Sequence, residues 1–250
     1  MKALLAALLA AVLVYLLYDT WTQKHPVLPR TGRLCDYIAA GAVFEDHREA
    51  IRRGIRLLEV HIYSDERDQP VVATSPQTGG SNVAVDNVSF ESVCVDIAND
   101  AFPSKDPFIL SMVLHTDRTV TIDKVAEHLL TIPRKFLSPD TNVRTAPLDQ
   151  LANTLLLVSG GTVNGTVLES LLNLNWNDAD VRRLTYQQAI SPRDPTELKQ
   201  FTKDGIVLVA PEPRFKTIVG NPSAPLAFGC QWNLFLSGPP GFVAKESRTH

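Results

Sequence analysis

The sequence predicts an α/β protein, a small closed (β/α) barrel set behind an N-terminal transmembrane helix. Two observations carry the barrel. From Leu34 onward, apolar runs of strand length alternate with helical patterns, which implies a parallel sheet with right-handed crossovers. Seven or eight such strands fall within about 215 residues, which favours closure over an open sheet. The membrane helix rests on a third observation, the uncharged run from Ala3 to Tyr18.

That run reads ALLAALLAAVLVYLLY, with Lys2 before it and Asp19 after it. At about 1.5 Å per residue it makes about 24 Å of helix, and Thr20 to Thr22 nearly complete a ~30 Å hydrocarbon core. Tyr15, Tyr18 and Trp21 supply interfacial aromatics. The segment ends in YLLYDTW without an A-x-A-like site, so an uncleaved single-pass signal anchor is expected rather than a cleavable signal peptide. Lys24, Arg30 and Arg33 follow it, which by the positive-inside rule puts the barrel in the cytosol. The expected organisation is anchor 1–23, Pro-rich tether 24–33 and barrel 34–250.

In the barrel, Leu34–Ala40 is a first apolar strand, and Glu45–Arg53 is helical with Gly54 as its stop. Leu57–Tyr63 and Val71–Ala73 follow as strands. Ser89 N-caps a helix that carries Phe90, Val93, Cys94 and Ile97 on one face. Pro107–His115 is apolar almost throughout, as a strand buried on both faces must be. Thr121–Leu130 is helical, Leu148–Leu151 begins a short helix, and Leu155–Ser159, Ile206–Ala210 and Gln231–Leu236 are further buried strands.

Composition narrows the functions. With 44% hydrophobic and 20% charged residues the chain is an ordinary globular protein. A net charge of −3 gives no electrostatic footprint for nucleic acid. No two of its Cys or His residues have zinc-ligand spacing. Cys35, Cys94 and Cys230 are odd in number and lie in apolar contexts, so buried free thiols in a reducing compartment are expected.

Several segments resemble phosphatidylinositol-specific phospholipase C, chiefly its X region and the end of its Y region. Asp36-Tyr37-Ile38 is similar to the opening DYFI. Arg48–Tyr63, REAIRRGIRLLEVHIY, resembles A-L-R-R-G-C-R-C-I-E-L-D, and Ser89–His115 resembles the helix and the P-V-I-L-S-L-E-N-H strand that follow it. Ala146–Gly160 is similar to P-S-P-x-x-L-x-x-K-I-L-I-K, and Ala210–Arg214 to Y-P-x-G-x-R. Gly229-Cys230-Gln231 and Gly241–Lys245 match G-C-Q and G-Y-V-x-K. The order is collinear over most of Asp36–Lys245. The resemblance implies a distorted TIM barrel of the PLC-like phosphodiesterase type, with its site at the carboxyl ends of the strands. LLEVHIYSDERDQPVV also resembles the I-E-L-D…P-V-V-F-H-D stretch of glycerophosphodiester phosphodiesterases, but GCQ and GFVAK point away from that family.

The phospholipase reaction needs a general base, a general acid and a cation converging on one phosphorus. In the family two histidines and a calcium ion held by acidic side chains supply them. Carried over by position, the first histidine–asparagine pair falls at Ala42 and Val43. Glu59 is kept, the aspartate after it becomes His61, and the second histidine becomes Thr74. The later glutamate becomes Val113, and the lysine becomes Val158. Only Glu59 and Arg214 survive, which leaves Glu59 as the residual metal candidate and His61 and Arg214 as headgroup-binding candidates. On this reading Glu59 is a relic paired with His61, and His115 is structural. The resemblance, with these losses, implies a membrane-anchored and catalytically inactive relative that binds a phospholipid headgroup or a protein, with no cofactor. The alternative is an active phosphoric diester hydrolase of lipid metabolism with a site remodelled around Glu59 and His61, using calcium if it is active.

Overall fold

The computed structural model describes residues 31–76, 84, 86–132, 136–137, 141–161, 163–211, 221, 223–234 and 241–245. The chain divides into units 1–31 and 32–250, and the barrel is the second. The expected anchor 1–23 and tether 24–30 lie outside the described residues, as does Arg214. No helix among the described residues is long and apolar enough to cross a membrane.

Strand β1 (Tyr37–Val43) leads through a tight turn into helix α1 (His47–Arg52). Asp46 caps α1 by accepting from the Glu49 amide at 2.9 Å, and Gly54, at φ +92°, takes the left-handed conformation past its end. After β2 (Leu57–Ser64) come β3 (Pro70–Ala73) and β4 (Asn87–Ser89). Ser89 caps α2 (Phe90–Asp100) by accepting from Ser92. Strand β5 (Phe108–Leu114) and helix α3 (Thr119–Leu130) follow. Leu148–Leu151 is a 3₁₀ turn rather than the start of an α-helix, and it leads into β6 (Leu155–Ser159). Next are β7 (Leu174–Asn175), β8 (Val181–Thr185), α4 (Tyr186–Ile190) and α5 (Pro195–Phe201). Strand β9 (Ile206–Ala210), α6 (Ser223–Ala227), β10 (Trp232–Asn233) and β11 (Phe242–Ala244) complete the described elements.

The strands pair in the order β7-β6-β5-β2-β1-β10-β9-β8, and every neighbouring pair on this path is parallel. Strands β3 and β11 add antiparallel to β2 and β1, and β4 pairs with β3. The closed barrel expected from the sequence is corrected to a nearly closed one. Among the described residues β7 and β8 do not pair, and β7, with two residues, is too short to bridge the seam.

Alternation along each strand separates two apolar layers. Leu58, Val60, Ile62, Leu110, Met112, Leu155 and Leu157 point outward to α1, α2 and α3. Leu57, Ile109, Leu156, Val158, Leu208 and Trp232 fill the interior, so the barrel is a packed core rather than a pore. Gly41 shows how tightly: a Cβ there would lie 2.8 Å from Leu57 and 2.9 Å from Leu234.

The Gly229-Cys230-Gln231 motif closes the fold. Gln231 is fully buried and accepts from the Val207 amide at 2.9 Å. Its Nε2 donates to the carbonyls of Gly205 (2.8 Å), Thr202 (3.0 Å) and Cys35 (3.3 Å). One side chain thereby ties the amino end of β1 to the loop before β9. Gly229, at φ +81°, sits where a Cβ would lie 2.5 Å from Thr202 Oγ1. All three cysteines are free and buried, and burial pushes the Cys94 and Cys230 thiols up to about 12.

Candidate functional site

Register assembles the site. Strands β1, β2, β5, β6 and β7 bring Val43, Glu59, Ser111, Val158 and Leu174 into one hydrogen-bonded row. Val113 pairs with His61 one step closer to the carboxyl ends of the strands. Five of the seven family-site positions therefore meet inside the barrel mouth: Val43, Glu59, His61, Val113 and Val158. Ala42 does not. It precedes an inward-facing residue on β1, so it points outward into the layer under the helices.

Glu59 is the centre of this row, and its side chain is fully buried. Arg183 reaches it from β8, on the far side of the barrel. Its Nε donates to Oε2 at 3.0 Å and its Nη2 to Oε1 at 2.7 Å. Ser111 Oγ donates to Oε2 at 3.1 Å, and His61 Nε2 lies 3.3 Å from Oε1. Burial pushes the carboxyl up, but the charge and hydrogen bonds of Arg183, aided by His61, outweigh it and hold it at about 2. The guanidinium responds reciprocally: burial lowers its pKa, and Glu59 more than reverses this.

A second imidazole extends the network, with His61 Nδ1 2.9 Å from His115 Nε2. With Glu59 ionised, His61 donates to it from Nε2, and a second hydrogen bond joins the two imidazoles. Burial, then the charges of His61 and Arg183, depress His115 to about 4 against the weaker pull of Glu59. Tyr63 stacks on His115 at 4.4 Å and 4°, while Phe44 packs on His61 at 4.4 Å. Phe44 adopts a positive φ of 55° in the turn between β1 and α1. This short turn thereby places an aromatic ring against His61.

The comparisons with known proteins fit this geometry. The sequence profile described as phosphatidylinositol-specific phospholipase C, X domain, matches residues 36–157. The chain has the barrel fold of the PLC-like phosphodiesterases. No curated protein sequence matches it. Among solved structures, S. officinalis PLC21 aligns with a TM-score of 0.66 and 15% identity, covering 86% of this chain and 37% of that one. L. pealei PLC21 aligns at 0.63 and 15%, covering 81% and 34%. The chain thus spans about a third of the length of these two proteins. A calcium-dependent phosphoinositol-specific phospholipase C from Pseudomonas sp aligns at 0.54 and 12% identity, covering 86% of this chain and 96% of that one. At these identities the likeness concerns the fold.

In this PLC-like barrel the described side chains at the mouth do not by themselves fit a calcium ion, which takes about six to eight oxygen ligands. Glu59 is the single carboxylate of its row. Both its oxygens are engaged by Arg183, and Ser111 and His61 add one contact each. Val43, Val113 and Val158 bring no oxygen to the mouth. Among the described residues no three His, Cys, Asp or Glu side chains are grouped to hold a metal.

Glu59 is paired with His61 at 3.3 Å, as the sequence reading expected, but its shorter contacts are to Arg183. His115 joins the mouth through His61. Thr74 continues the β3–β4 hairpin, its amide donating to the Asp86 carbonyl at 3.0 Å. The sequence reading missed Arg183, Ser111 and Trp176. Trp176 packs over Gly160, where a Cβ would lie 2.7 Å from the indole, and its ring centroid is 5.4 Å from the Arg183 guanidinium carbon.

Proposed function

We propose that this PLC-like barrel is a membrane-anchored protein that binds a phosphorylated headgroup at its mouth without turning it over. The observation that carries the reading is the saturation of Glu59. A buried carboxylate with four contacts and a pKa of about 2 neither takes a proton near pH 7 nor offers lone pairs to a metal. His115, depressed to about 4, is a poor general acid, because acid catalysis works best with a pKa near the operating pH. Arg183 supplies the cation. Its Nη1 is the guanidinium nitrogen that Glu59 does not take, and the indole N–H of neighbouring Trp176 is buried without a hydrogen-bond partner. Both suit a phosphate oxygen. The cleft of about 290 Å³ beside His115 is lined by three carboxylates, Asp65, Glu66 and Asp117, against one cation, Arg118, and so favours an anion less than the Arg183–Trp176 side does.

The test is release of inositol phosphate and glycerol phosphate by the full chain, with and without calcium, alongside binding of soluble inositol phosphates to the detergent-solubilised chain by calorimetry. Binding without release is expected. Calcium-dependent release that disappears in Glu59→Gln overturns the proposal. Absence of both release and inositol phosphate binding also overturns it.

The His61–His115 hydrogen bond favours a second reading, a metal-independent phosphodiesterase that uses the paired imidazoles beside Arg183. Calcium-independent release lost in both His61→Ala and His115→Ala is its signature. The anchor and the cytosolic placement rest on the Ala3–Tyr18 run and the basic residues after it. Carbonate extraction and protease protection test them: membrane retention with a protease-accessible barrel is expected.

A further inference from the structure

The outer layer of the barrel is uneven. Helices α1, α2 and α3 share the outward apolar layer with β2, β5 and β6. The outward residues Ile38 and Ala40 of β1 instead cluster with Leu226 of the five-residue helix α6. A helix of little more than one turn covers little surface, and a cavity of about 580 Å³ opens beside it. Its lining includes Ile38, Lys199, Leu226, Phe228, Cys230 and Lys245. Ile38 and Cys230 lie at the amino-terminal ends of β1 and β10, whereas the Glu59–His115 network sits towards the carboxyl ends of its strands. The two places share no residue.

The cavity is chemically two-sided. Ile38, Leu226 and Phe228 give it an apolar wall. Lys199 holds its amine 5.7 Å from the centroid of the Phe228 ring. Lys245 donates to the Thr202 carbonyl at 2.8 Å, which uses one of its three ammonium protons. Burial lowers the Lys245 pKa, the neighbouring Cys35, Asp36 and Cys230 oppose that, and Arg33 lowers it further. An ammonium drawn out of water in a cavity lined by a second lysine attracts an anion and disfavours a cation. The volume falls within the ~300–1,000 Å³ of small-molecule sites, which are mostly apolar with a few converging polar groups.

We propose that this cavity binds a small anionic amphiphile, a carboxylate-headed hydrocarbon whose head is held by Lys199 and Lys245 and whose tail lies on Ile38, Leu226 and Phe228. Two amines select the anionic head over a neutral or cationic one. The apolar wall selects a hydrocarbon over a free phosphate.

The experiment is photolabelling of the full chain, in nonionic detergent, with a diazirine-bearing decanoate, followed by peptide mass spectrometry. Label is expected on the peptides that carry Ile38 and Leu226–Phe228. Decanoate should compete it away at least tenfold better than decanol or decylammonium. Leu226→Trp fills the cavity and should cut labelling at least fivefold. Lys199→Met, at an exposed position that leaves the fold intact, should cut it about threefold or more. Label spread over other peptides, equal competition by decanol, or unchanged labelling in both variants overturns the proposal.

Discussion

Replacing Arg183 with methionine keeps most of the side-chain volume and removes the charge facing Glu59. In the intact protein the Glu59 carboxyl is held at about 2, against an ordinary 4.5. At about 1.4 kcal/mol for each pH unit, that difference corresponds to about 3 kcal/mol of stability. Because the folded value lies below the unfolded one, this contribution is complete above pH 4.5 and is lost as the pH falls towards 2. In Arg183→Met, burial is opposed by His61 and Ser111 alone, so the carboxyl rises above 4.5 and the sign reverses. The variant is penalised most at pH 7 and recovers as acid protonates Glu59. Breaking one side of a buried ion pair costs about 3–5 kcal/mol, and a domain of this size loses about 2–4 °C per kcal/mol. Melts followed by circular dichroism should therefore show a loss of about 6–20 °C at pH 7 and a clearly smaller one at pH 5. Glu59→Gln combined with Arg183→Met should recover part of the loss, because no buried charge is stranded. A deficit that is equal at the two pH values, or additive in the double variant, refutes the reasoning.

Other perturbations test other parts of the argument. His115, depressed to about 4 from 6.5, stabilises the fold above pH 6.5 and loses that contribution as the pH falls towards 4. Its imidazole should show no inflection between pH 5.5 and 8 by NMR, and His115→Phe should flatten the stability profile in that acid range. Gln231→Leu strands the Val207 amide and withdraws a donor from three carbonyls. At about 1–3 kcal/mol for each buried group left unpaired, urea unfolding should show a loss of about 3 kcal/mol or more. Gly41→Ala presses a methyl against Leu57 and Leu234, so a loss of about 1–3 kcal/mol is expected in the same assay.

The sequence exposes the scaffold more fully than the site, for reasons that lie in particular residues. Leu155–Ser159 and Ile206–Ala210 are strands buried at every position, so their unbroken apolar runs mark both the ends and the parallel sheet. Asp46, Gly54 and Ser89 are local stereochemical signals and act where the chain places them. Strand β8 carries two arginines in five residues, so its one-sided burial resembles an exposed segment until the partner of Arg183 is known. That partner is 124 residues away, and a bidentate pair across a barrel leaves no trace in local spacing. The same holds for His115. Its hydrogen bond to His61 depends on the β2–β5 register, which places Leu114 beside Ile62.

The changes at the barrel mouth form one consistent set. A row of Val43, Val158 and Leu174 around a lone carboxylate would strand a buried charge, and an isolated Glu59 would have to neutralise or leave the core. Arg183 removes that conflict by meeting both oxygens, and Ser111 and His61 satisfy lone pairs that the guanidinium leaves over. Conversely, the Arg183 side chain is mostly buried against the interior and would be costly there without Glu59. Each residue of the pair makes the other tolerable. Retention of Glu59 is thus explained by the packing of this barrel, and it does not imply retained chemistry. A mouth that still used calcium would show the opposite dependence: Glu59→Gln would abolish metal binding, while Arg183→Met would release a carboxylate and strengthen it. Calcium titration of the two variants by calorimetry decides the matter, and no calcium heat from Arg183→Met is the outcome expected of a structural pair.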